Sequence, residues 1–297
     1  MLHFPVLLEE SVDFLVTKNE GSYIDCTYGR GGHTQKILEK ISSNSKLTSF
    51  DKDSDAVEHA KNIQNANFKI IQDSFSNINK YFSNDSVDGI LYDLGTCSTH
   101  FDDASRGFSF RHNGPLDMRF DTKKGKPLAD WINKATENDI KEVLYKYGDE
   151  KHAKLISRNI VEYRNKNTLD STLQLANLIQ DIYPDKKNKI HPATKSFQAF
   201  RIHLNNELNE LSNSLIHAKS LLKKNGIVVV ISFHSLEDNI IKNFFKAEIK
   251  NYPKDIPINN EEFKEFECIA KKVRPSAKEI ELNNRSRSAI MRVFKKL

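Results

Sequence analysis

Apolar positions in the first third of the chain switch repeatedly between a helical and a strand spacing. LLEESVDFLV (7–16) sets Leu8, Val12, Leu15 and Val16 at helical intervals and reads as an opening helix. Tyr23, Ile24 and Cys26 suit a short buried strand, and HTQKILEKI (33–41) then puts Ile37, Leu38 and Ile41 on one helical face. KLTSF, running into Asp51, predicts a second strand, with a helix from Ser54 through Gln64. FKII (68–71) is a third strand, FSNINKYF (75–82) is helical, and VDGILYDLG (87–95) is a fourth strand ending in acid and glycine. Such alternation predicts a parallel sheet with helices on both faces.

The rhythm stops over 95–119, a stretch without clear period whose phenylalanines and methionine argue for an ordered functional loop rather than disorder. From about 120 to 190 each strong pattern is helical (LADWINKA, NDIKEVLYKY, KHAKLISRNIVEY, TLQLANLIQDIY), and Pro184 with the KKNK run marks the end of this insertion. One long helix is expected from about Ser196 to Leu222, with Phe197, Phe200, Leu204, Leu208, Leu211 and Leu215 inward and Asn225-Gly226 as its stop. GIVVVISF (226–233) has the unbroken apolar character of a buried parallel strand. Ser235 opens the following helix, with Asp238 in the acid position of a capping box. Residues 251–266 are polar and loop-like, and CIAKKV (268–273) with SAIMRVF (288–294) predicts a closing strand pair.

The chemistry gathers where strands end. In YIDCTYGRGGH (23–33), Gly29, Gly31 and Gly32 allow a sharp turn and close approach of a ligand to backbone before a helix N-terminus. The spacing G-x-G-G is not the dinucleotide fingerprint, so a plain turn remains an alternative. In open α/β sheets ligands bind outside the carboxyl ends of the strands, and Asp51, the Asp73–Phe75 turn and Asp93 all fall there. Asp51 suits the hydroxyls of an adenosine ribose, or else a helix cap that Asp53 or Ser54 could also supply. Phe75 suits an adenine face or a place in the core. Asp93 could face a cofactor's adenine edge, its positive end or the reacting group. His234 follows an apolar strand, either as a polar site residue or as a satisfied histidine beside a helix cap.

Charge adds a gradient to this picture. Residues 1–120 carry 12 Lys/Arg against 17 Asp/Glu, residues 121–200 carry 15 against 11, and residues 201–297 carry 18 against 12. An acidic first part and a basic remainder suit a cationic cofactor and a polyanionic partner, with a lysine-rich solvated surface as the plainer reading. The 3 cysteines are widely spaced, which gives neither a disulfide framework nor a zinc pattern and points to a reducing cytoplasm. No apolar run is long enough to span a bilayer, and MLHFPVLLEE lacks the basic start of a secretion signal.

Taken together the motifs resemble the bacterial 16S rRNA (cytosine-N4) methyltransferase family, the RsmH/MraW type. The resemblance lies in HFPVLLEE (3–10), YIDCTYGRGGH (23–33), DLGTCST (93–99), RGFSF (106–110) and GPLDMR (114–119). It continues through HPATKSFQAFRIHLNNEL (191–208), VISFHSLED (230–238) and NNRSRSAIMRV (283–293), nearly end to end and in family order. It implies an α/β fold: a Rossmann-like class I methyltransferase sheet with an inserted all-helical substrate domain. The S-adenosyl-L-methionine-binding part would be 1–119 with 196–297, and the RNA-recognition insertion 120–195. It further implies N4-methylation of a cytidine in the decoding region of 16S rRNA, on the small ribosomal subunit. The expected setting is cytoplasmic with no membrane partner, and the oligomeric state is left open, a homodimer included.

Carried over by motif, the cofactor contacts are Gly31, Gly32, His33, Asp51, Phe75 and Asp93, with a further one at His100. The family usually has glutamine there, after Ser-Ser-Pro, whereas this chain reads Ser98-Thr99-His100. Cys26 and Cys97 stand where the family usually has a small residue and serine. Asp93, or the backbone oxygens of Leu94 and Gly95, would hold the cytosine amine in line with the sulfonium methyl. Tyr28 would steady the sulfonium or pack in the core, and Phe108, Phe110 and Phe233 would receive the base or fill loop and strand cores. Arg106, Arg111, Arg119, Arg285 and Arg287 would hold phosphates or pin their own loops. Three other classes compete: a nicotinamide dehydrogenase, a cytosine-C5 methyltransferase with Cys97 as nucleophile, and a non-catalytic RNA-binding module.

Overall fold

A computed structural model describes residues 5–183, 191–246 and 265–297. The expected end of the insertion at Pro184 and KKNK, and nearly all of the polar stretch 251–266, lie outside these. The first elements follow the apolar rhythm: α1 (Leu8–Leu15), β1 (Ser22–Asp25), α2 (Gly32–Lys40), β2 (Lys46–Asp51), α3 (Ser54–Ala60), β3 (Phe68–Gln72), a 3-10 turn at Phe75–Lys80, and β4 (Val87–Asp93). After a long excursion come α4 (Ser98–Asp102), α5 (Leu128–Ile132), α6 (Glu137–Gly148), α7 (Ala153–Arg164), α8 (Thr172–Gln180) and α9 (Ala193–Asn205). The chain returns through α10 (Glu207–Leu221), β5 (Leu222–Ser232), α11 (Ser235–Phe245), β6 (Phe266–Val273), α12 (Ala277–Leu282) and β7 (Ile290–Lys296). No helix among the described residues is long and apolar enough to cross a membrane.

Among the described residues the sheet has 7 strands in the order β3-β2-β1-β4-β5-β7-β6. The first five in that order run parallel, and β7 lies antiparallel between β5 and β6. The alternation of side chains serves two cores. Ile90, Tyr92, Val228 and Val230 meet Leu211, Leu215 and Ile241, while Leu91, Val229 and Ile231 meet Val12, Leu15 and Ile37. Strand order reverses at β1 and β4, so the crevice expected of an open sheet opens at their carboxyl ends.

The chain divides into two compact units, 1–95 with 208–297, and 96–207. The second is therefore wider than the 120–195 expected for the insertion. Gly114 to Leu116 are stitched to the start of α8: Leu116 N–H donates to the Asp170 carbonyl (2.8 Å) and Thr172 N–H to that of Gly114 (2.9 Å). Leu116 and Met118 lie in the helical core with Ile140, Leu144, Ile156, Ile160 and Ile179. Phe197 and Phe200 of α9 belong to the same core. Capping boxes at Thr136–Asp139 and Ser171–Gln174 open α6 and α8.

The single helix expected from Ser196 to Leu222 is two. Asn206 takes a left-handed conformation (φ 53°) and ends α9, which asparagine tolerates better than most residues. The Asn205 amide donates to the Met118 carbonyl (2.8 Å), and Arg201 holds Glu207 through two bonds of 2.9 Å. The apolar period runs on across the break because each half has its own core to face.

Candidate active site

The glycine bend leaves the sheet between two strands. Cys26 N–H donates to the Leu91 carbonyl (2.9 Å) and Tyr28 N–H to that of Phe50 (3.0 Å). Gly31 has φ 77° and caps α2, and a Cβ there would stand 2.7 Å from the Tyr28 hydroxyl. One on Gly32 would collide with the Pro5 ring. Both glycines are thus required by close packing of Tyr28 and Pro5 on the bend, and the first-turn N–H groups of α2 stand at the helix's positive end, where an anionic or polar ligand group is favoured.

Two carboxylates flank the bend. Asp51 accepts from Gly29 N–H (2.8 Å) and from Asp53 N–H (2.9 Å). Asp53, not Asp51, caps α3 by accepting from Asp55 N–H (3.0 Å). Asp93, at the end of β4, donates its N–H to the Thr27 hydroxyl (2.8 Å). Its Oδ2 lies 3.7 Å from Nδ1 of His33, whose Nε2 is 3.1 Å from the Val6 carbonyl. The Asp93 side chain is 18% exposed, against 5% for His33. Gly31, Gly32, His33, Asp51 and Asp93 therefore meet around the carboxyl ends of β1, β2 and β4. Phe75 opens the turn after β3, half-buried, with its ring edge-on to Tyr92 at 5.8 Å.

His100 belongs to the other unit. It is buried there, its ring stacked on Phe108 (5.0 Å) and beside Phe120 (5.4 Å). Phe110 packs against His191 and Phe197 of the same unit. Arg106 donates to the carbonyls of Arg119 and Phe120, and Arg119 grips Asp117 at 2.7 and 2.8 Å, so both arginines pin their own loop. Arg111 is exposed.

Tyr28 is a core residue: buried, bonded to His59 Nδ1 (2.9 Å) and packed on Phe68, its phenol pushed up to about 12 by burial first. His234 is the cap of α11, a place the sequence suggested for Ser235 with Asp238. Its Nδ1 accepts from Glu237 N–H (3.4 Å), while Glu237 accepts from the N–H groups of Phe233 (2.8 Å) and His234 (3.4 Å). Glutamate reaches both backbone donors where the shorter aspartate is drawn instead to Arg292 (2.6 Å).

Asp25 is the residue that pattern reading missed. Wholly buried at the end of β1, it accepts from the Thr34 hydroxyl (2.7 Å) and from Thr27 N–H (3.1 Å). Thr34 in turn takes a bond from Ser49 (2.7 Å). One carboxylate thus braces both shoulders of the bend. Its partners lie in other elements, and the only signal was an acid inside an apolar strand. Burial lifts its pKa to about 6, with Asp51 adding to the rise and the Thr34 and Thr27 bonds opposing it. A folded pKa above the unfolded one means stability present below pH ~4 and lost as pH rises through ~6. Across that window Asp25→Asn should gain up to about 3 kcal/mol on the parent, from about two pKa units at ~1.4 kcal/mol each. Urea denaturation at pH 4.5 and pH 8 measures it, and a difference independent of pH would refute it.

The profile of the MraW methylase family matches residues 1–297. The chain belongs to that family. It is 43% identical over 309 residues to the ribosomal RNA small subunit methyltransferase H of Nitrosomonas europaea, covering 100% of this chain and 98% of the relative. The Marinomonas sp. protein of the same name is 43% identical over 304 residues, covering 99% and 97%. Among solved structures, a putative rRNA methylase from Clostridium thermocellum aligns over 100% of both chains with TM-score 0.47 and 13% identity. As a member of that family the chain is a methylase.

Proposed function

We propose that the methylase transfers the donor's methyl group to the N4 amine of a cytidine in the decoding region of 16S rRNA, on the small ribosomal subunit in the cytoplasm. The observation that carries this reading is the placement of Asp93, a partly exposed carboxylate beside the glycine bend and within reach of His33. In it, the bend at Gly31 and Gly32 faces the donor with the N-terminus of α2, Asp51 accepts from the ribose hydroxyls, and Phe75 lies against the adenine. Bound there, S-adenosyl-L-methionine supplies an electrophilic sulfonium methyl. Cytosine's exocyclic amine is a weak nucleophile because its lone pair is delocalised into the ring. Asp93, or the carbonyls of Leu94 and Gly95, accepts its hydrogens and points the lone pair at the methyl; such alignment lowers the barrier without a covalent intermediate. Incubation with labelled donor and unmodified small subunits, followed by mass spectrometric mapping, tests it. Label on C5 of cytosine, or on another nucleotide, would overturn it.

Cys97 separates the amine reading from the C5 one. It stands at the N-cap of α4, half-buried. Cys97→Ser should keep kcat within about threefold of the parent, whereas loss of a covalent nucleophile would abolish turnover. Single-turnover assays on small subunits distinguish the two.

A further inference from the structure

Residues 271–287 hold 6 Lys/Arg against 2 Asp/Glu. Lys271, Lys272, Arg274, Lys278 and Arg287 are exposed, and Arg285 is half-buried. Strand register fixes where they stand. Ser232 of β5 pairs with Ile290 of β7, and Val273 of β6 with Met291, so the crossover between β6 and β7 sits at the carboxyl end of β5. That is the rim carrying Asp93, which pairs with Ile231.

The crossover is also tied to the bend. Glu279 of α12 accepts from Leu7 N–H (2.8 Å). Val6, the residue before Leu7, faces His33 through its carbonyl, and Pro5 lies on Gly32. Ser276 caps α12 (3.1 Å to Glu279 N), and Asn283 holds Arg285 N–H (3.1 Å), so the cations stand on a braced frame. Glu279, one of the two acids, is spent on that brace.

The rim around the bend is acidic, with Asp25, Asp51, Asp53 and Asp93. Such a field suits a sulfonium and repels phosphate. An RNA strand reaching this rim needs cations on the same side of the sheet. We infer that residues 271–287 dock the ribose-phosphate backbone of the substrate RNA, with Lys271, Lys272, Arg274 and Lys278 as phosphate contacts. This rests on the reading of small-subunit rRNA as substrate.

The test follows binding to unmodified small subunits across about 50 to 300 mM salt, where each neutralised phosphate adds roughly 0.7 to 0.9 to the slope of log K against log salt. The fourfold variant Lys271→Gln, Lys272→Gln, Arg274→Gln, Lys278→Gln should lose at least about tenfold in affinity at low salt and about three in slope. Its donor affinity by calorimetry should equal the parent's. The charge-keeping variant Lys271→Arg, Lys272→Arg, Arg274→Lys, Lys278→Arg should keep the parental slope, which separates charge from folding. A control, Lys46→Gln with Lys224→Gln, removes exposed lysines at the amino-end half of β2 and β5 and should change nothing. Parental slope in the fourfold variant, or an equal loss in the control, would overturn the dock. Failure of the substrate reading shows separately, as a parent protein that methylates no small subunit.

Discussion

Asp93→Asn should fold like the parent and transfer methyl groups about a thousandfold more slowly, the midrange effect of removing a positioned proton acceptor. The amide matches the carboxylate in shape, and the bond from its own N–H to the Thr27 hydroxyl, which fixes the end of β4, survives the change. What disappears is the negative charge near His33 and its capacity to accept on both oxygens. An amine held by an acceptor is already aligned when the methyl arrives; one facing an amide must find that alignment by chance, and the lost orientation falls on kcat. Single-turnover methylation of small subunits at saturating donor measures the step, and thermal melting confirms the fold. Parental kcat together with parental donor affinity would remove Asp93 from the reaction.

The sheet was legible because its strands are short, apolar and bounded by polar turns, so that period alone separated β1 to β5 from the helices between them. The rim acids were legible for the same reason: Asp51 and Asp93 each close a strand. What depended on contacts distant in sequence was not. Nothing in GPLDMR shows that its backbone pairs with residues 170–172, and so the boundary at 120 missed a segment that completes the helical core. The turn at Asn206 interrupts no apolar period, because Phe200 and Leu211 face different cores at compatible spacing. The final strand pair was visible, but the insertion of β7 between β5 and β6 was not; that order is set by register, not by composition. Asp25 escaped because an acid next to apolar strand residues means little until Thr34 and Ser49 are seen around it.

Asp51→Ala should weaken donor binding about a hundredfold, a loss near 2.7 kcal/mol that falls within the range for a charged hydrogen bond. A carboxylate offers about four acceptor sites, and the N–H groups of Gly29 and Asp53 take two of them. On the proposed reading the same group fixes the bend and would present its remaining acceptors to a ribose. Alanine removes both functions, yet α3 keeps its start because Asp53 supplies the cap. Asp51→Asn should fall only about tenfold, since its remaining carbonyl oxygen can still receive Gly29 while the second acceptor becomes a donor. Calorimetry with S-adenosyl-L-methionine gives the two constants, and kcat at saturating donor should change far less than KM, as expected when ground and transition states lose the same contact. An unchanged constant in Asp51→Ala would leave the residue as a clasp for Gly29 alone. A graded series, parent above asparagine above alanine, with α3 intact by circular dichroism, would mean that the clasp and the ribose acceptor are one carboxylate.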